Sequence, residues 1–177
     1  MQPSGFNFQQ NHFQLFGLPQ SFAIDSTQLD LHYRALQAQV HPDKSAHLSE
    51  AEQRLAMQHS TQVNEAYQTL RNPLKRARYL LSLQGVDTQE ETNTAMPVDF
   101  LMEQMEWREA VAEAGDVSVL DELEARLHRE THALENELAG KIDNEKNYAD
   151  AAGLVRKLRF MEKLAEEIHS AYDEIDT

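Results

Sequence analysis

His41, Pro42 and Asp43 set an imidazole, a fixed backbone angle and a carboxylate side by side. Three chemistries could use them. In a catalytic pairing, Asp43 would orient His41 as a general base for a nearby hydroxyl such as Ser45. The flanking residues supply neither a glycine-rich oxyanion turn nor the walls of a pocket. In a metal clip, His41, His47 and His59 would converge with Asp43. The separation of His47 from His59 misses the i,i+4 spacing that puts two ligands on one helix face. The third use is an ordinary turn, since His, Pro and Asp all suit one. Taken alone, the tripeptide reads as that turn.

Its neighbours are helices. Leu29, Tyr33, Leu36 and Val40 recur at spacings of four, three and four, and Ser26 is placed to cap the helix they define. Pro42 must end that helix, because it lacks an amide hydrogen and pushes His41 out of the α region. Ser49 then caps a longer helix with Leu55, Val63, Ala66 and Leu70 on one side, and Asn72-Pro73 closes it. Pro73 suits the first position of a shorter helix. Two long antiparallel helices would leave His41, Pro42 and Asp43 alone at one tip of a hairpin.

Composition fits this all-helical reading. The 177 residues include no cysteine, six glycines and five prolines, and 26% are charged. Thiolate nucleophiles, disulfides and thiolate metal sites are thereby excluded. No apolar run approaches the roughly 18 to 20 residues needed to cross a bilayer. The opening MQPSGFNFQQ carries no leader pattern, so a soluble protein of a bacterial-type cytoplasm is expected. Net charge is −14 and unevenly spread. Residues 1–80 carry seven Lys/Arg against six Asp/Glu, whereas residues 81–177 carry nine against twenty-four. Such an acidic half repels phosphate backbones, so nucleic acid is not an expected partner.

"GVDTQEETNTAMP", residues 85–97, lacks apolar periodicity and reads as a linker. It separates a first segment, 1–84, from a second, 98–177. In the second, a helix from Pro97 to Ala114 is stopped by Gly115, and Asp116 caps the next, which Gly140 closes. The last begins near Asn147 and carries a seam of Leu154, Leu158, Met161, Ala165, Ile168, Tyr172 and Ile175. Short turns between them predict an antiparallel three-helix bundle.

The sequence around the tip is specific as a whole. "HPDK" followed by "VNEAYQTLRNPLKRARYLL" (63–81) closely resembles the J-domain, over roughly residues 10–80. That resemblance implies a protein that is not itself an enzyme and needs no cofactor. His41, Pro42, Asp43, Lys44 and Arg34 would dock on a DnaK-class chaperone and promote its ATP hydrolysis. Pro42 would hold the chain direction in advance of binding, and Asp43 would accept a charge-assisted bond from a partner arginine. Two departures stand out. Only Arg34 supplies a cation on the helix before the tip, and Val40 stands where a tyrosine is frequent. The weaker field suggests a slower, more selective encounter with a dedicated chaperone.

"FLMEQMEWREAV" (100–111) and "DAAGLVRKLRFMEKL" (150–164) closely resemble the HscB, or Jac-type, family. The resemblance implies that the bundle binds an IscU-like iron–sulfur scaffold and that the tip serves an HscA-like chaperone. On a helical wheel Phe100, Trp107, Val111 and Ala114 form a core stripe. Leu101, Met102, Met105 and Glu109 lie on a second face, continued by Glu106 and Glu113. Phe160 sits about 110° off its seam. Methionines and an off-seam aromatic beyond the needs of one core stripe suit a partner surface. The positions matching the family's scaffold patch are Leu101, Met102, Met105, Glu106, Glu109, Glu113 and Phe160. A rival expectation is a J-domain protein whose bundle holds unfolded clients in general.

Overall fold

The computed structural model describes residues 7–93 and 95–175. Every regular element among them is helical, and the chain divides into two compact units, Met1–Leu80 and Leu81–Thr177. The fold is all-α, as the periodicity predicts.

The first unit contains α1 (His12–Leu15), α2 (Ser26–Val40), α3 (Pro42–Ser45), α4 (Glu50–Arg71) and most of α5 (Pro73–Leu83). Phe13, Phe16, Phe22, Leu29, Val63 and Leu70 are among its buried apolar side chains, each contributing about 1.5–3 kcal/mol through removal from water. Helices α2 and α4 run antiparallel: Tyr67 donates its hydroxyl to Asp30, and Tyr33 to Asn64. Asp25, not Ser26, is the N-cap of α2, accepting from the amides of Thr27 and Gln28. Both residue types cap well, and the aspartate comes first. Ser49 caps α4 in a reciprocal box with Glu52.

Leu55 is exposed, although its spacing placed it on the buried stripe of α4. Gln37 of α2 reaches Asn64 of α4, and α2 ends three residues later at Val40. Helix α4 has 22 residues to the 15 of α2, so its first turns run past the end of its partner.

The second unit is an antiparallel bundle of α6 (Val98–Ala112), α7 (Val117–Ala139) and α8 (Tyr148–Ile175). Phe100, Trp107 and Val111 from α6 pack with Leu127 of α7 and Met161, Leu164 and Ile168 of α8. Asp116 caps α7 as expected. Gly140 does not close it: its backbone is helical, and the chain continues through a π-helical turn, Gly140–Asn144. Lys146, at φ +54°, then breaks the helix, and the Asn147 side chain accepts from the amide of Asp150 at the start of α8.

The α8 seam needs one correction. Ala165 is exposed and Leu164 fully buried. A single heptad seam serves one neighbour, whereas α8 packs on both α6 and α7, and Leu164 joins the cluster that includes the α6 aromatics. Part of residues 85–97 also packs on this unit. Thr88 is buried with its carbonyl accepting from Arg156 at 3.1 Å, and Met96 lies against the bundle core.

Candidate functional site

Two exposed constellations stand out, one on each unit. At the tip of the first, His41 leaves the α region (φ −60°, ψ 134°) and Pro42 opens the single turn of α3. The loop expected between α2 and α4 is therefore partly helical. His41 serves as the N-cap of that turn: its Nδ1 accepts the Asp43 amide at 3.3 Å. The Lys44 amide donates to the His41 carbonyl at 3.0 Å. Ser45 is buried and donates its hydroxyl to the Pro42 carbonyl, which occupies it within the turn.

The outcome is a stiff tip with its polar groups outward. The side chain of Asp43 is 91% exposed and, among the described residues, its one charged neighbour within ion-pair distance is His41 Nδ1 at 3.5 Å, leaving its carboxylate open to a donor from solution. Lys44 and Arg34 are exposed, and neither forms an ion pair among the described residues. His47 and His59 do not join His41. Among the described residues no three metal-ligating side chains gather.

Behind the tip, Tyr33 and Tyr67 stack face to face with centroids 3.8 Å apart and 10° between planes. Gln37 donates to the Tyr33 hydroxyl at 2.7 Å. The hydrogen bond to Asp30 pushes the Tyr67 pKa up, burial adds to this, and the Arg71 guanidinium, 5.8 Å over the ring, opposes it. This lock between α2 and α4 was missed in the sequence, where Tyr33 counted only as an apolar position and Tyr67 as part of a motif.

On the second unit, α6 presents the expected second face. Met102 is 59% and Met105 70% exposed, Leu101 is half-buried, and Glu106, Glu109 and Glu113 are exposed. Glu113 lies one residue past the helix as its C-cap. Phe160 of α8 is half-buried: it packs against the bundle core and meets the Phe100 ring at 5.9 Å with the planes nearly perpendicular. Trp107 is buried in the core, as its wheel position predicts.

Three residues without a sequence signal fix the roll of α6. Arg126 of α7 lies 4.3 Å over the Trp107 ring and pairs with Glu103 at 3.0 Å and Glu130 at 2.9 Å. Arg108 holds both oxygens of Glu167 on α8 at 3.0 and 3.1 Å. Gln104 is buried, and its amide nitrogen reaches the Met161 sulfur at 3.6 Å. With α6 gripped on these sides, the methionine face stays outward.

Among the described residues no helix is long and apolar enough to cross a membrane. Residues 11–79 match the model of the DnaJ domain, and residues 96–169 that of the HSCB C-terminal oligomerisation domain. The chain is 52% identical over 168 residues to the co-chaperone protein HscB homolog of Ralstonia nicotianae, covering 93% of this chain and 96% of that one. It is 55% identical over 170 residues to the homolog of Chromobacterium violaceum, covering 96% and 97%. The solved chaperone HscB from Vibrio cholerae superposes with a TM-score of 0.83 at 38% identity, over 94% of this chain and 99% of that one. Human co-chaperone protein HscB gives 0.89 at 30%, over 97% and 85%. A J-domain-like hairpin followed by an acidic three-helix bundle, matched over almost its whole length by such relatives, belongs to the HscB family of co-chaperones.

Proposed function

We propose that this co-chaperone delivers an iron–sulfur cluster scaffold of the IscU type to a DnaK-class chaperone of the HscA type. It acts in the cytoplasm, in the maturation of iron–sulfur proteins. His41, Pro42, Asp43, Lys44 and Arg34 engage the chaperone and promote its ATP hydrolysis, which takes place in the partner. Leu101, Met102, Met105 and Phe160 bind the scaffold, with Glu106, Glu109 and Glu113 as an acidic rim. The observation that carries this reading is an open carboxylate on one unit and open methionines on the other, each backed by internal contacts.

Physics assigns each group its part. A preset tip loses little entropy on docking, and the free Asp43 oxygens form a charge-assisted bond without first breaking a strong ion pair. Methionines adapt to a partner's relief, and the half-buried Phe160 ring supplies a rigid anchor. Carrying both surfaces on one chain raises the effective concentration of scaffold at the chaperone.

The test is scaffold binding by a Met105→Ala/Phe160→Ala variant. Loss of at least about 2 kcal/mol of binding, with stimulation of the chaperone by the free co-chaperone unchanged, is expected. Undiminished binding, or equal binding of unrelated unfolded proteins by the wild type, contradicts the assignment. The second outcome would favour a general client-holding bundle.

A further inference from the structure

Helix α2 is poor in cations, yet the hairpin face that Arg34 shares is not. On α2, Tyr33, Arg34 and Gln37 fall within about 100° of one another; on α4, Tyr67, Asn64 and Arg71 fall within about 60°. The Tyr33–Tyr67 stack and the Tyr33–Asn64 hydrogen bond join these two edges, so Arg34 and Arg71 flank one surface. Arg71 is exposed, with its guanidinium over the Tyr67 ring at 5.8 Å from the centroid. Neither arginine meets a carboxylate within ion-pair distance among the described residues. The one acid in the lock, Asp30, is engaged by the Tyr67 hydroxyl at 2.8 Å.

We infer that Arg71, shelved on the Tyr33–Tyr67 stack, is a specificity-determining cation that carries the chaperone-docking surface from α2 onto α4 and meets an acidic patch on the chaperone. This rests on the proposed partnership with a DnaK-class chaperone and adds a contact beyond the tip and Arg34. Charge complementarity selects the occupant: two guanidinium groups that meet no carboxylate among the described residues, beside a partly exposed Tyr33 stacked on a buried Tyr67, favour an acidic, hydrogen-bonding protein surface. A guanidinium held against a ring is already partly ordered, so docking costs less side-chain entropy than it would for a free lysine. Arg71 contributes to encounter and affinity, whereas Asp43 contributes to the stimulus itself.

The experiment titrates full-length wild type, Arg71→Gln, Arg71→Glu and Asp43→Asn against a purified DnaK-class chaperone of the HscA type, reading ATP hydrolysis. Arg71→Gln should raise the half-saturating concentration roughly twofold to fivefold and Arg71→Glu about tenfold, with the maximal rate unchanged. Between about 50 mM and about 300 mM salt the wild-type advantage should shrink, as it must for an exposed charge. Circular dichroism melts check that both variants keep the fold. Half-saturation equal to wild type in Arg71→Glu, with Asp43→Asn inactive in the same assay, overturns the role of Arg71 and leaves the partnership standing. No stimulation by the wild type removes both. A changed sedimentation coefficient in Arg71→Glu with unchanged half-saturation overturns the inference by assigning this face to a second copy of the chain.

Discussion

At the scale of single residues, what distinguishes the site is which polar groups are occupied and which are left open. Ser45 and the His41 Nδ1 are used up in building the turn, while the Asp43 carboxylate faces solvent. The tripeptide was legible because proline dictates its own backbone; the capping role of His41 was not, because it depends on a ring orientation that no spacing encodes. Gln104 shows the converse. It is fully buried, and its Oε1 has no hydrogen-bond partner among the described residues. A buried acceptor left unmade costs roughly 1–3 kcal/mol, and methionine has nearly the same shape. Gln104→Met should therefore raise bundle stability by about 1 kcal/mol in urea unfolding. A lower midpoint with an unchanged m-value would show that the amide is better satisfied than its contacts indicate.

At the scale of elements, most caps and breaks were readable, Ser26 and Gly140 excepted, and the partners were not. Ser49 and Asp116 fix helix starts through local hydrogen bonds and Pro73 through its preset backbone angle, so local sequence suffices. Gly140 misled because one glycine costs a helix only about 1 kcal/mol, which the packing of α7 on α8 outweighs. Leu55 and Ala165 misled for a tertiary reason: periodicity gives a face, but the length and number of neighbouring helices decide how much of it is covered. The patch on α6 was legible because Met102 and Met105 exceed what one buried stripe requires; Arg126 and Arg108, which hold that helix in place, act across helices and left no trace in spacing. Leu164→Ala should cost about 2–5 kcal/mol of bundle stability, while Ala165→Ser should change it by less than about 0.5 kcal/mol. Chemical denaturation of both variants checks this, and equal losses would restore the unbroken heptad seam.

At the scale of the whole molecule, charge and exposure are divided between the units. The first is nearly balanced and presents an open carboxylate with flanking cations; the second holds most of the acidity and the exposed methionines. Since the two surfaces share no residue, loss of one should leave the other working. The most direct measurement is single-turnover ATP hydrolysis by the HscA-type chaperone with scaffold present, comparing wild type with Asp43→Asn. That substitution keeps the shape of the side chain and removes its charge. Hydrolysis at the unstimulated rate, with scaffold affinity equal to wild type, is the predicted result; full stimulation by Asp43→Asn would contradict the account.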